Sequence, residues 1–168
     1  MRSPQSHYAP RAGEKPSWSD AGWLPYYAVR GLMELARARL AFTRFNASDI
    51  LRFNARAKAR QEASGPEHDA KLARIAYVIP RISGRLPWRS DCLIQAMAAQ
   101  NWLKSAGHAS EIQIGVERPE GGDFGAHAWL VCGDVIVTGG KIDQYHPLLT
   151  ETELKQNKTA NPPDDRLQ

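Results

Sequence analysis

The sequence contains little that would build a disulfide scaffold or a metal centre. Its 168 residues include only two cysteines, which are too few for a disulfide framework or for a zinc site with four cysteine ligands. In a reducing compartment we expect Cys92 and Cys132 to be thiols, so each is either a candidate nucleophile or a small buried residue. Four of the five histidines show no ligand-like spacing, and we expect neither a metal ion nor a cofactor.

Long apolar runs and nucleotide-binding motifs are also missing. No stretch of about 18 apolar residues could span a membrane, and residues 1–20 lack the apolar core of a signal peptide, which favours the cytoplasm. There is no Walker motif and no GxGxxG pattern, so no recognisable nucleotide site is expected. The net charge is +4, with basic and acidic residues interspersed. This slight excess of basic residues does not require nucleic acid as a partner.

The composition predicts one globular domain between two polar ends. With 42% hydrophobic and 24% charged residues, a chain of this length can bury a substantial core. Residues 1–20 and 156–168 show no helical or strand period, and we expect both to be flexible. The domain, residues 21–155, divides into a helical part at 21–85 and a second part at 86–155, which contains both cysteines.

Three helical patterns occupy the helical part. The first, residues 25–45, carries an apolar stripe that we expect to pack in the core, with arginines on another face. The stripe consists of Leu32, Met33, Ala36 and Leu40. A second helix is predicted after residue 46 up to a break at residues 63–66, and a third follows until Pro80, which ends or kinks it.

The next helix contains one of the two cysteines. Ser90 or Asp91 is a suitable N-cap, and residues 93–105 are rich in Ala, Leu and Met before Gly107 closes the helix. Cys92 therefore lies in the first turn, in phase with the apolar face. The first-turn N–H groups and the helix dipole favour a thiolate, so this thiol has a physical reason to be reactive.

Beyond residue 110 the spacing of the apolar residues changes from the helical period to a period of two residues, which is typical of strands. Strands are predicted at 111–116, 126–132 and 135–138, with a loop at 118–124 and a turn at residues 133–134. The middle strand places His127 on one face. An imidazole beside a thiol can complete an ion pair and later protonate a leaving group. On the residues alone, a buried cysteine and a core-facing histidine remain the alternative.

These segments resemble the transglutaminase-like leader peptidases of lasso peptide biosynthesis. LPWRSDCL at residues 86–93 is similar to the family's LPWRxxCL motif, and AHAW at residues 126–129 is similar to its histidine motif. The resemblance covers roughly residues 67–150. It implies an α+β, papain-like core in which a helix with Cys92 is followed by a small antiparallel sheet and preceded by N-terminal helices. It also implies a cysteine peptidase with Cys92 as nucleophile and His127 as general base and acid.

The third member of the triad is where this chain departs from the resemblance. Many relatives carry an Asp about a dozen residues after the histidine, and in this chain that position is Gly139. The turn at residues 133–134 predicts that residues 139 and 140 lie opposite His127, so Gly139 cannot supply the carboxylate. Asp143 is the predicted third member, because it could swing back to orient the imidazole. Asp134, in the turn, is the rival, and a carbonyl, an amide or no group at all could also stand in that place. Oxyanion stabilisation is expected mainly from backbone N–H groups at the start of the helix, with a side-chain donor from Ser90 or Arg89 as an addition.

The resemblance implies partners as well as an activity. A separate leader-binding protein would recruit the precursor peptide, since no strand-rich segment before residue 110 could form that module here, and a macrocyclase resembling asparagine synthetase would then close the ring. We expect Trp88 and Trp129 to contact the substrate, with core packing the alternative for Trp129. Two further functions stay open, namely a transglutaminase-like acyltransferase and a non-catalytic peptide-binding module.

Overall fold

The computed structural model describes residues 7–8, 22–44, 54, 66–117 and 125–147, and these residues confirm the predicted α+β class. Within them the chain forms three helices and five strands. The helices are α1 (Leu24–Phe42), α2 (Pro66–Ser83) and α3 (Cys92–Ser105). The strands are β1 (His7–Tyr8), β2 (Glu111–Glu117), β3 (Gly125–Cys132), β4 (Val135–Thr138) and β5 (His146–Pro147). The predicted loop at 118–124 and all of the predicted second helix except Asn54 lie outside the described residues.

The five strands form one sheet in the order β1-β4-β3-β2-β5. Its centre is antiparallel, as predicted, and the three predicted strands agree with β2, β3 and β4 to within one residue at each end. Between β3 and β4 an irregularity shifts the register, so that Thr138 pairs with Leu130. The two-residue β1 lies in the segment that we expected to be flexible, and it pairs in parallel with β4.

The predicted core stripe of α1 is wrong. Leu32, Met33 and Leu40 are 41%, 43% and 71% exposed, and Ala36 is half-buried. The buried face is a different one, made of Tyr27, Gly31, Glu34, Leu35 and Ala38. The helix also ends at Phe42, three residues before the predicted end.

Two residues that look unsuited to a core explain which face of α1 is buried. Gly31 allows a close approach to α2, since a Cβ on it would lie 3.0 Å from Cγ1 of Val78. The carboxylate of Glu34 is buried but paired, at 2.8 Å from Arg30 and 3.3 Å from Arg37. A stripe chosen by counting apolar residues misses both, because small size and paired charge can each make a position suitable for burial.

Helix α2 continues past Pro80, which we expected either to end the helix or to kink it. Pro80 lies inside the helix, which runs on to Ser83, so the proline does not end it. A proline removes one backbone donor and crowds the preceding turn. Here the guanidinium of Arg81 donates to the carbonyl oxygen of Tyr77 at 2.9 Å and lies over the Tyr77 ring, which stabilises that turn.

Helix α3 lies at the centre of the fold and packs against α1, α2 and β3. Cys92 is its first residue, which confirms the predicted first-turn position, and the residues in phase with it are fully buried. These residues are Ala96, Ala99 and Leu103. The contact with β3 places the helix that begins at Cys92 next to the strand that carries His127. None of the described helices is both long and apolar enough to cross a membrane.

Candidate active site

The N-terminus of α3 presents a thiol together with backbone donors. The side chain of Cys92 is half-buried. Asp91 occupies the N-cap position, but its carboxylate makes no capping hydrogen bond and instead lies 3.4 Å from Nε of Arg89. The first turn of the helix contains no acidic residue. Because Asp91 does not cap them, the first-turn N–H groups are left to stabilise a thiolate at Cys92 or an oxyanion beside it.

The segment that leads into Cys92 is held in place by two side chains. The carbonyl oxygen of Ser90 accepts hydrogen bonds from Oγ of Ser83 and from Nε2 of Gln95, both at 2.9 Å. Two polar atoms in this segment, Nε1 of Trp88 and Oγ of Ser90, are buried without a hydrogen-bond partner among the described residues. Buried donors of this kind are costly unless a ligand or water satisfies them. Ser90 therefore remains a candidate side-chain donor to an oxyanion.

His127 lies on β3, half-buried, with one ring nitrogen engaged by the backbone. Its Nε2 lies 2.7 Å from the carbonyl oxygen of Gly139. A carbonyl oxygen can only accept, so Nε2 carries a proton and donates it to this bond. In the neutral ring Nδ1 is then the nitrogen with a lone pair, and it is the atom that can act as a base.

An aromatic ring that the sequence analysis missed covers His127. The Tyr145 ring stacks on the imidazole, with ring centroids 4.7 Å apart and an interplanar angle of 27°. Tyr145 closes a turn in which its N–H donates to the carbonyl of Ile142 at 2.9 Å. No motif marks this residue, and its place becomes visible only once the chain folds back after β4.

The two aspartates considered for the triad are both exposed. Asp143 lies on the turn that leads to Tyr145, while Asp134 lies in the turn between β3 and β4, at the other end of β3 from His127. The Nε2 bond that a triad carboxylate would accept is made by Gly139. The role of Asp143 stays a prediction.

The remaining predicted positions differ in how accessible they are. Trp129 is 1% exposed, and its Nε1 donates to Oε1 of Gln113 at 2.9 Å, which agrees with the core-packing alternative. Trp88, just before α3, is half-buried, and its contact with a substrate stays a prediction. Cys132 is buried on the opposite face of β3, as expected for a small core residue. Across the described ranges, no three His, Cys, Asp or Glu residues are grouped so that they could hold a metal ion.

Comparison with known proteins gives one match. The family model described as the transglutaminase-like superfamily matches residues 32–150, which is more than half of the chain and includes both Cys92 and His127. No curated protein matches, and no solved structure does.

Proposed function

Because this chain belongs to the transglutaminase-like superfamily, whose members are typically cysteine hydrolases or acyltransferases, we propose that it is a cysteine peptidase that removes the leader from a ribosomally made precursor peptide during lasso peptide maturation. The observation that supports a catalytic role is the hydrogen bonding of the His127 ring. Its Nε2 is engaged with Gly139, so Nδ1 is its basic atom, and its strand packs on the helix that begins at Cys92. A thiol and a base are the two side chains that nucleophilic catalysis requires, and the proposal is that these two act together.

In the proposed reaction, Nδ1 of His127 accepts the proton of the Cys92 thiol. The thiolate attacks the scissile carbonyl carbon, and the resulting oxyanion accepts hydrogen bonds from N–H groups in the first turn of α3. The imidazolium then protonates the leaving amine as the C–N bond breaks, which leaves a thioester on Cys92. Water, deprotonated by His127, attacks the thioester, and the acid product leaves as the thiol is regenerated.

The finer assignment rests on the two motifs. LPWRSDCL and AHAW surround the proposed nucleophile and base, and their resemblance to the lasso leader peptidases supports the substrate class. The same resemblance supports a cytoplasmic enzyme that works with a leader-binding protein and a macrocyclase resembling asparagine synthetase. Trp88, four residues before Cys92 at the start of α3, is the proposed substrate contact.

The first test measures the thiol itself. Iodoacetamide alkylation of Cys92 is followed against pH in the wild type and in His127→Ala, with the buried Cys132 as internal reference. We expect Cys92 to be alkylated quickly even well below about pH 8, and to lose this reactivity in the variant. If Cys92 reacts as an ordinary thiol in both proteins, the thiolate–imidazolium pair does not exist and the catalytic proposal fails.

The second test identifies the reaction. A lasso precursor peptide is incubated with the enzyme and a leader-binding protein, and products are identified by mass spectrometry, with Cys92→Ala as control. We expect a leader fragment that is absent in the control. Transfer of the acyl group to an added amine in place of water would support the acyltransferase, which uses the same thioester. No product together with an unreactive Cys92 would support the non-catalytic module.

A further inference from the structure

At the position where the resemblance to the leader peptidases implies a triad aspartate, this chain has a glycine whose backbone contacts the ring of His127. We propose that His127 is positioned by the carbonyl oxygen of Gly139 and by the ring of Tyr145, which together replace that carboxylate. The catalytic meaning of this inference rests on the proposed function. The positioning itself concerns only His127 and is measurable without a substrate.

The carbonyl of Gly139 fixes both the tautomer and the direction of the ring. A distance of 2.7 Å from Nε2 is at the short end of the range for N–H···O bonds. The bond holds the proton on Nε2, so a half-turn of the ring would lose it. These are the two tasks that a triad carboxylate performs on its histidine, apart from supplying charge.

The ring of Tyr145 restrains the imidazole on one face. With centroids 4.7 Å apart and planes 27° from parallel, the two rings are in stacking contact. The Trp129 ring, 6.3 Å from the imidazole and fully buried, adds a rigid neighbour on the same strand. Stacking on an aromatic face also stabilises the imidazolium that forms when the thiol loses its proton.

The backbone at Gly139 excludes a side chain, and with it a carboxylate. Its φ is +108°, and a Cβ there would lie 2.3 Å from Cβ of Trp129. Gly140 also has a positive φ, +64°, but a Cβ on it would meet no atom within 4 Å. The pair therefore offers a matched comparison, since Gly139→Ala combines left-handed strain with a clash beside His127, while Gly140→Ala has the strain alone.

The decisive measurement is nuclear magnetic resonance of His127 in the wild-type protein labelled with nitrogen-15 at histidine. We expect the neutral ring to carry its proton on Nε2, with a downfield proton resonance that exchanges slowly with water. A proton on Nδ1, or an Nε2 proton that exchanges as in a free imidazole, would overturn the proposal whatever the activity is. If the signature is present and Cys92 is unreactive, the positioning stands and the proposed function fails.

Variants then connect the positioning to reactivity, read as the pH profile of Cys92 alkylation. We expect Gly139→Ala to lower the rate at neutral pH about fivefold, the fold-change that one hydrogen bond of ordinary net strength represents, and Gly140→Ala to lower it much less. Tyr145→Leu should lower the rate and speed exchange of the Nε2 proton, and Tyr145→Phe should restore both. A loss of reactivity in Asp143→Asn with none in Tyr145→Leu would overturn the proposal in favour of the carboxylate.

Discussion

Asn54 completes the hydrogen bonding of β2 at Ile112, beyond the residues of β2 that pair with β5. Its Oδ1 accepts from the N–H of Ile112 at 2.8 Å, and its Nδ2 donates to the carbonyl oxygen of the same residue at 2.9 Å. Oδ1 also accepts from Nε2 of Gln100 on α3 at 3.0 Å. One buried carboxamide thus acts towards Ile112 as a peptide group of an adjacent strand would, and it ties the sheet to the central helix.

The substitution Asn54→Ala should therefore destabilise the fold strongly for a single polar residue. It leaves two buried backbone groups of Ile112 without these partners, and each unpaired buried group costs about 1–3 kcal/mol. Gln100 loses one bond but keeps a longer one, 3.3 Å, to the carbonyl of Ser110. We expect the free energy of unfolding to fall by about 3 kcal/mol.

Urea denaturation of wild type and variant measures this loss, provided that the slope of the unfolding free energy against urea concentration is the same in both proteins. Thr43→Ala is a matched control, since its Oγ1 donates to the carbonyl of Leu40 at 2.7 Å in an exposed position, and we expect a cost below about 0.5 kcal/mol. Hydrogen exchange of the Ile112 amide locates the effect, because that N–H should lose its protection selectively. A loss below about 1 kcal/mol, or an Ile112 amide that stays as protected as in the wild type, would refute the reasoning.

Two further predictions concern pH and the face of α1. Burial, and then the neighbouring side chains of His68 and Lys71, lower the pKa of His108. Because the unfolded chain binds the proton at an ordinary pKa of about 6.5, stability should be full above that pH and should fall as the pH drops towards the lowered pKa. Urea midpoints between about pH 8 and about pH 5 test this, and an equally steep fall in His108→Asn would contradict it. On α1, Leu35→Ala should lower the free energy of unfolding by about 2–5 kcal/mol and Leu40→Ala by less than about 0.5 kcal/mol, because only Leu35 is buried. Urea denaturation measures both losses, and equal losses would contradict the assignment of the Leu35 face as the buried face of α1.

The sheet and the cysteine helix could be predicted because their signals are local. A period of two marks a strand wherever one face is buried, and the turn at Gly133–Asp134 separates β3 from β4 without help from the rest of the chain. The start of α3 could be predicted from the change of composition around Ser90 and Asp91. Asp91, one of the two predicted N-cap residues, occupies the N-cap position, but its side chain does not cap the helix. It pairs with Arg89 instead, and that pairing could not be predicted because it depends on the conformation of the chain.

The buried face of α1 could not be predicted because it depends on what the helix meets. Gly31 is buried since α2 approaches it closely, and Glu34 is buried since two arginines of the same helix neutralise it. Neither residue adds to an apolar count. The apolar residues that dominate the sequence pattern, including Leu40, lie on the exposed side instead.

The third member of the site shows a different limit of prediction. A nucleophile and a base must be particular side chains, so residue type and motif lead directly to the prediction of Cys92 and His127 for these roles. An acceptor for Nε2 can be any oxygen in the right place, and every residue has a backbone carbonyl. The only trace of it in the sequence is the glycine pair at residues 139–140, which permits the positive φ that turns the carbonyl towards the ring. An absent aspartate at residue 139 is therefore no argument against catalysis, because the bond that it would accept is already made.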